Sequence, residues 1–196
     1  MHKSDIQPGK KIEFGRFGVK NGQNPVKPLM WTVLTVWDDS ALLLCDCLIA
    51  KAPYHEAEGE IIWKDCSLRN WLNHGFVQAA FSNDEINMLD TTPAPDHIGD
   101  DDPVFILSRA EIERFLSAEQ THVGKNTDLL CIPSRMALIH GTAKPSSEGY
   151  WWARDIEGFD RRFGSMALHI TNSGYYGKTL TYCERWIRPA CRIRLR

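Results

Sequence analysis

The sequence predicts an α+β fold, a mainly antiparallel twisted sheet with two to four short helices. Three observations carry that expectation. Apolar runs rich in β-branched and aromatic residues, split by short polar breaks, fill the first and last thirds of the chain. The middle third instead spaces apolar residues at i, i+3 and i+4, and the connections between runs are rich in Gly, Asn, Asp and Pro. The chain has 196 residues, 43% of them apolar and 24% charged, which is enough to bury a real core. Residues 1–196 are therefore read as a single domain.

In chain order, KIEFGRFG (11–18) reads as a short strand and NGQNPVKP (21–28) as a loop. MWTVLTVWDDSALLLCDCLIA supplies two apolar runs, 30–37 and 41–50, which the polar DDS folds into a hairpin with Trp31, Val33 and Val36 facing inward. In DCSLRNWLNHGF, Leu68, Trp71 and Leu72 form a one-sided stripe, and Gly75 is expected to end that helix. Ser82 with Glu85, and Ser108 with Glu111, fit capping boxes, in which a hydroxyl and a carboxylate satisfy the free amides of a first turn. TTPAPDHIGDDD (91–102) reads as a loop and VFIL as a strand, and a further short helix is expected from Pro133 to Gly141.

The last third returns to β structure. YWWARD, SMALHIT and ERWIRPACRIRLR read as strands, with IEGFDRRFG and NSGYYGKTLTY as the loops between them. In the final run Ile187, Cys191, Ile193 and Leu195 alternate with Arg188, Arg192, Arg194 and Arg196, which predicts one buried face and one solvated row of arginines.

A formal net charge of -2 argues against a partner that needs many phosphates neutralised, so nucleic acid is not expected. No apolar run reaches bilayer length, so no membrane span is expected. MHKSDIQPGKK lacks the apolar stretch of a secretory signal; the expected address is cytoplasmic, with the six cysteines reduced. SGYYGKT (173–179) ends like a phosphate loop, but Asn172 stands where glycine is needed and no helix signal follows the lysine. Cys45 and Cys47 share a strand face, yet no C-x-x-C or close histidine pair completes a metal site. DHIGDDD lacks the alternating carboxylate pattern of a calcium loop, and the histidines are scattered. No catalytic residue, metal ligand or cofactor is assigned.

FGRFG, CSLRNWLN, FVQAAFSNDEI, VFILSRAEIERFL, YWWARD and WIRPACRI, in that order from about residue 12 to 195, resemble a domain family of unknown function widespread in bacterial and phage-derived proteins. That family looks related to the C-type-lectin-like fold in its formylglycine-generating-enzyme branch. The resemblance implies late strands that frame ligand-facing loops, and no activity. It also sets Cys183 and Cys191 where those enzymes keep a copper-binding cysteine pair. Here the pair is more widely spaced and Cys191 sits on an apolar strand face, so inert thiols are the preferred reading.

Trp151 and Trp152 are neighbours on a strand, so their rings point to opposite faces, Trp151 to the core and Trp152, with Arg154, towards the loops. Those two residues, with Tyr175, Tyr176 and Tyr182 of the glycine-rich segment, are the candidate binding surface. The expected function is a non-catalytic module that recognises a protein or glycan through its C-terminal loops. The alternatives are a copper-dependent oxidoreductase of the formylglycine-generating type and a structural phage-derived component. The sequence assigns no oligomeric state.

Overall fold

The computed structural model describes residues 3–19, 24–92, 101–117, 121 and 149–195. The helix expected over 133–141, most of the 91–102 loop, and His97, His122 and His140 lie outside them. The described chain is α+β, with two mainly antiparallel five-stranded sheets and a few short helices.

The first sheet runs β1-β2-β3-β10-β5, where β1 is Lys11–Val19, β2 Asn24–Val36, β3 Ser40–Cys45, β5 Val104–Phe105 and β10 Ala190–Arg194. The second runs β4-β9-β6-β7-β8, where β4 is Ala50–Pro53, β6 Trp151–Asp160, β7 Gly164–Ile170, β8 Tyr176–Leu180 and β9 Glu184–Ile187. Each sheet thus draws on both the early and the late parts of the chain. The expected β2–β3 hairpin is present, with Trp31 and Val33 buried and Val36 half-buried.

Several boundaries differ from the sequence reading. The loop expected over 21–28 is in part β2, because pairing with β1 continues down to Asn24. IEGFD extends β6 to Asp160, and the supposed loop NSGYYGKTLTY contains β8. ERWIRPACRIRLR is two strands: Pro189 carries no amide for a ladder, and the chain leaves β9 in one sheet to enter β10 in the other.

Gly75 does not end its helix. α1 (Ser67–Asn70) passes through a π-helical stretch at Trp71–Phe76 into α2 (Val77–Ala80), burying Leu68, Leu72, Phe76 and Val77. The capping boxes stand at the starts of α3 (Asn83–Ile86) and α4 (Arg109–Phe115). Gly15 explains how α2 meets the first sheet. At φ +76° it forms a bulge in β1, its amide donates to Glu85 Oε1 at 2.8 Å, and a side chain there would strike the Phe81 ring at 2.6 Å.

The expected row of solvated arginines holds at Arg194, which is exposed, but not at Arg188 or Arg192, and Arg196 lies outside the described residues. β10 is paired along both edges, by β3 and β5, and the consecutive residues Ala190, Cys191, Arg192 and Ile193 are all buried, so both of its faces are covered. Arg192, 1% exposed, pairs with Asp90 at 3.8 Å and donates to the Thr92 carbonyl. Arg188 is buried over the Trp151 ring and donates to the Cys45 carbonyl at 3.0 Å. Buried guanidinium groups persist only with such partners. Cys47 is disulfide-bonded, whereas Cys45, Cys66, Cys183 and Cys191 are free, so the expectation of reduced thiols throughout does not hold.

Candidate functional site

The five residues singled out in the sequence do not share one surface. Trp152 is fully buried, against the expectation that it faces the loops. Its indole N–H donates to the Ala52 carbonyl at 2.9 Å, and its ring meets Tyr54 edge-on at 5.7 Å. Strand alternation places the two tryptophans on opposite faces, but β6 is the central strand of its sheet, and the segment after β4 lays Tyr54 over the second face. Trp151 is buried as expected.

Arg154 is committed to holding α4 against β6. It reaches Glu111 at 2.6 Å, with side-chain exposures of 12% and 7%, and lies over the Phe105 ring. A guanidinium so engaged is not free to meet a ligand. Tyr182 sits in the turn after β8, whereas Tyr175 and Tyr176 stand at its start. A five-residue strand separates them by about 17 Å at the ordinary rise of a strand.

Tyr175 and Tyr176 are what remains of the surface. A turn joins β7 to β8: Thr171 N–H donates to the Tyr175 carbonyl at 2.8 Å, Gly174 N–H to the Thr171 carbonyl at 3.0 Å, and Tyr175 N–H to Thr171 Oγ1 at 3.1 Å. These bonds fix the backbone while the Tyr175 side chain stands 75% exposed. Tyr176 is half-buried, with the Arg109 guanidinium 4.8 Å from its ring centre.

Arg109 organises the ground beside it. Its Nε meets Glu113 at 2.8 Å, Nη1 meets Glu157 at 3.4 Å, and its backbone N–H donates to Asp155 Oδ2 at 2.6 Å. Burial, and then the charge of Glu113, push the Tyr176 phenol above its ordinary value. It is therefore a neutral hydrogen-bonding group across the physiological range. The surface is an aromatic and charged patch built from α4, β6 and β8. Arg109, Glu113, Asp155 and Glu157 were missed in the sequence. The i,i+4 spacing of Arg109 and Glu113 is visible there, but their meeting with β8 is tertiary.

A second constellation was also missed. Ser67 Oγ and its backbone N–H lie 3.0 and 3.2 Å from His55 Nδ1, while the Glu56 N–H donates to Ser67 Oγ at 3.3 Å. An adjoining cavity of about 70 Å³ is lined chiefly by Ala50, Ala52, Leu68, Trp71 and Ile187. The nearby amides of Leu68 and Arg69 are taken by the Tyr54 carbonyl and Cys66 Sγ, so they do not present an oxyanion hole.

The late cysteines are placed apart in the topology. Cys191 is fully buried in β10 opposite Leu43, its thiol pushed well above the ordinary value by burial. Cys183 lies half-buried in the turn before β9, in the other sheet. Among the described residues no group of three or more His, Cys, Asp or Glu is arranged to hold a metal ion. Among them, too, no helix is long and apolar enough to cross a membrane.

Residues 38–195 match the family described as a domain of unknown function (DUF6273), and the chain belongs to that family. The match takes in β3 to β10 and leaves β1 and β2 before it. No curated protein matches the chain, and no solved structure does.

Proposed function

We propose that this chain is a non-catalytic ligand-binding module, of C-type-lectin-like architecture and from the bacterial and phage setting of its family resemblance, which recognises a protein or glycan. The observation that supports this reading is Tyr175, whose ring stands 75% exposed on a turn held by three hydrogen bonds. Presenting a large aromatic ring to water on a fixed backbone forgoes the burial that such a side chain would otherwise provide, and it pre-organises an amphipathic contact. Tyr176, Arg109 and the three carboxylates beside it add hydrogen-bonding capacity. The disulfide at Cys47 sits poorly with a cytoplasmic address, because such bonds persist mainly in oxidising compartments.

The test is a glycan array probed with the purified chain, in parallel with Tyr175→Ala. The expected result is capture of a defined glycan class, weakened at least about tenfold in the variant, as for an aromatic hot spot. The melting temperature stays within about 1 °C, as for an exposed substitution. Undiminished capture by Tyr175→Ala would sink the assignment of this surface.

A further inference from the structure

We propose that His169 is an acid-sensitive latch on the β7–β8 hairpin: a proton on its buried imidazole opens the edge strand and releases the Tyr175–Tyr176 turn from its fixed presentation. The consequence for recognition rests on the reading of that turn as the binding surface; the latch itself does not.

The geometry that points to it is local and unusual. His169, on β7, is 6% exposed. Its ring stacks on Tyr150 at 5.4 Å and 13°, and meets Trp152 edge-on at 6.4 Å. In the ladder it faces Gly177 of β8, where a methyl group would come within 2.6 Å of His169 Nε2. Glycine at 177 is thus what lets the imidazole lie against the edge strand. Nδ1 is buried without a hydrogen-bond partner.

The groups that face the ring offer no welcome to a second charge. β9 contributes Arg185, whose guanidinium lies 5.7 Å from the Tyr150 ring centre. Ahead of β6 stands the Tyr150 phenol, β6 itself contributes Trp152, and β8 contributes the bare backbone of Gly177. Among the described residues no carboxylate pairs with His169. Burial first, and the Arg185 charge second, pull its pKa from 6.5 down to about 4.

β8 is the element that yields. It is five residues long, sits at the edge of its sheet and pairs with β7. The Arg109–Tyr176 ring contact helps to hold its start. Once β8 lifts, the imidazole regains water and its ordinary proton affinity, so the open form binds the proton more tightly. Acid therefore favours opening. With 6.5 for the open and about 4 for the closed form, the open population rises about 30-fold from pH 7.5 to pH 5.

Hydrogen exchange tests this, with each amide's rate divided by its intrinsic rate at the same pH. Protection of the β8 amides bonded to β7 should fall about 30-fold from pH 7.5 to pH 5, while amides of β2 and β3 hold. In His169→Phe, which keeps an aromatic ring against Tyr150 and cannot take a proton, β8 protection should be flat. As a check that needs no variant, an NMR titration of the wild-type imidazole should show a midpoint well below the ordinary histidine value. The latch is overturned by an equal loss of protection in both sheets, by the same β8 response in His169→Phe, or by an ordinary midpoint. Neither measurement uses a ligand, so a failed latch and a failed binding surface give separate results.

Discussion

Truncation of Trp152 decides whether this side chain belongs to the core or to a ligand surface. Its indole is fully buried, donates to the Ala52 carbonyl at 2.9 Å, and packs edge-on against Tyr54 and His169. Trp152→Phe removes the donor, at about 1 kcal/mol for a lost buried hydrogen bond. The smaller ring also leaves a void, bringing the loss to about 2 kcal/mol. Trp152→Ala empties the site and should cost about 3–5 kcal/mol. For a chain of this length each kcal/mol lowers the melting temperature by about 2–4 °C, so the alanine variant should melt about 6–20 °C early. Thermal and urea unfolding followed by circular dichroism would measure both, with Tyr175→Ala as the exposed comparator. An alanine variant within about 1 kcal/mol of the wild type would refute the argument, because no fully buried indole is removed so cheaply.

Three further outcomes follow from the same packing. Glu111→Gln retains a side chain able to close the capping box but removes the buried charge that pairs with the half-buried Arg154, and should cost about 3 kcal/mol. Ser108→Ala removes the cap alone and should cost about 1 kcal/mol; the reverse order would show that capping, not the ion pair, secures α4. A soluble thiol reagent should modify Cys183 in the native protein and spare Cys45, Cys66 and Cys191 until denaturant is added. Burial pushes Cys45 and Cys66 up to about 12 and Cys191 well above its ordinary value. Prompt native modification of Cys191 would contradict that placement.

What was legible in the sequence was local. Ser82 with Glu85 and Ser108 with Glu111 specify their helix starts within four residues, and both caps form. The DDS break fixes the β2–β3 hairpin for the same reason. The final run misled because alternation reports which residues share a face, not whether that face meets water. Arg192 reads as solvated until the segment carrying Asp90 and Thr92 is known to meet it, from about a hundred residues away along the chain. Trp152 failed in the same way: its face was read correctly, but Tyr54 covers it from almost a hundred residues away. Tyr175 was legible because its exposure depends on a short turn, whereas Arg109 and Glu157 join Tyr176 through contacts that no nearby spacing encodes.

The position of β10 has a consequence for how the molecule is made. Ala190–Arg194 pair with β3 on one side and β5 on the other, so these five residues are the seam of the first sheet. While a ribosome still holds them, β3 keeps an open row of amides and carbonyls that another nascent chain or a chaperone can occupy. The joining event must span about 150 residues of chain, which makes it a late and slow step.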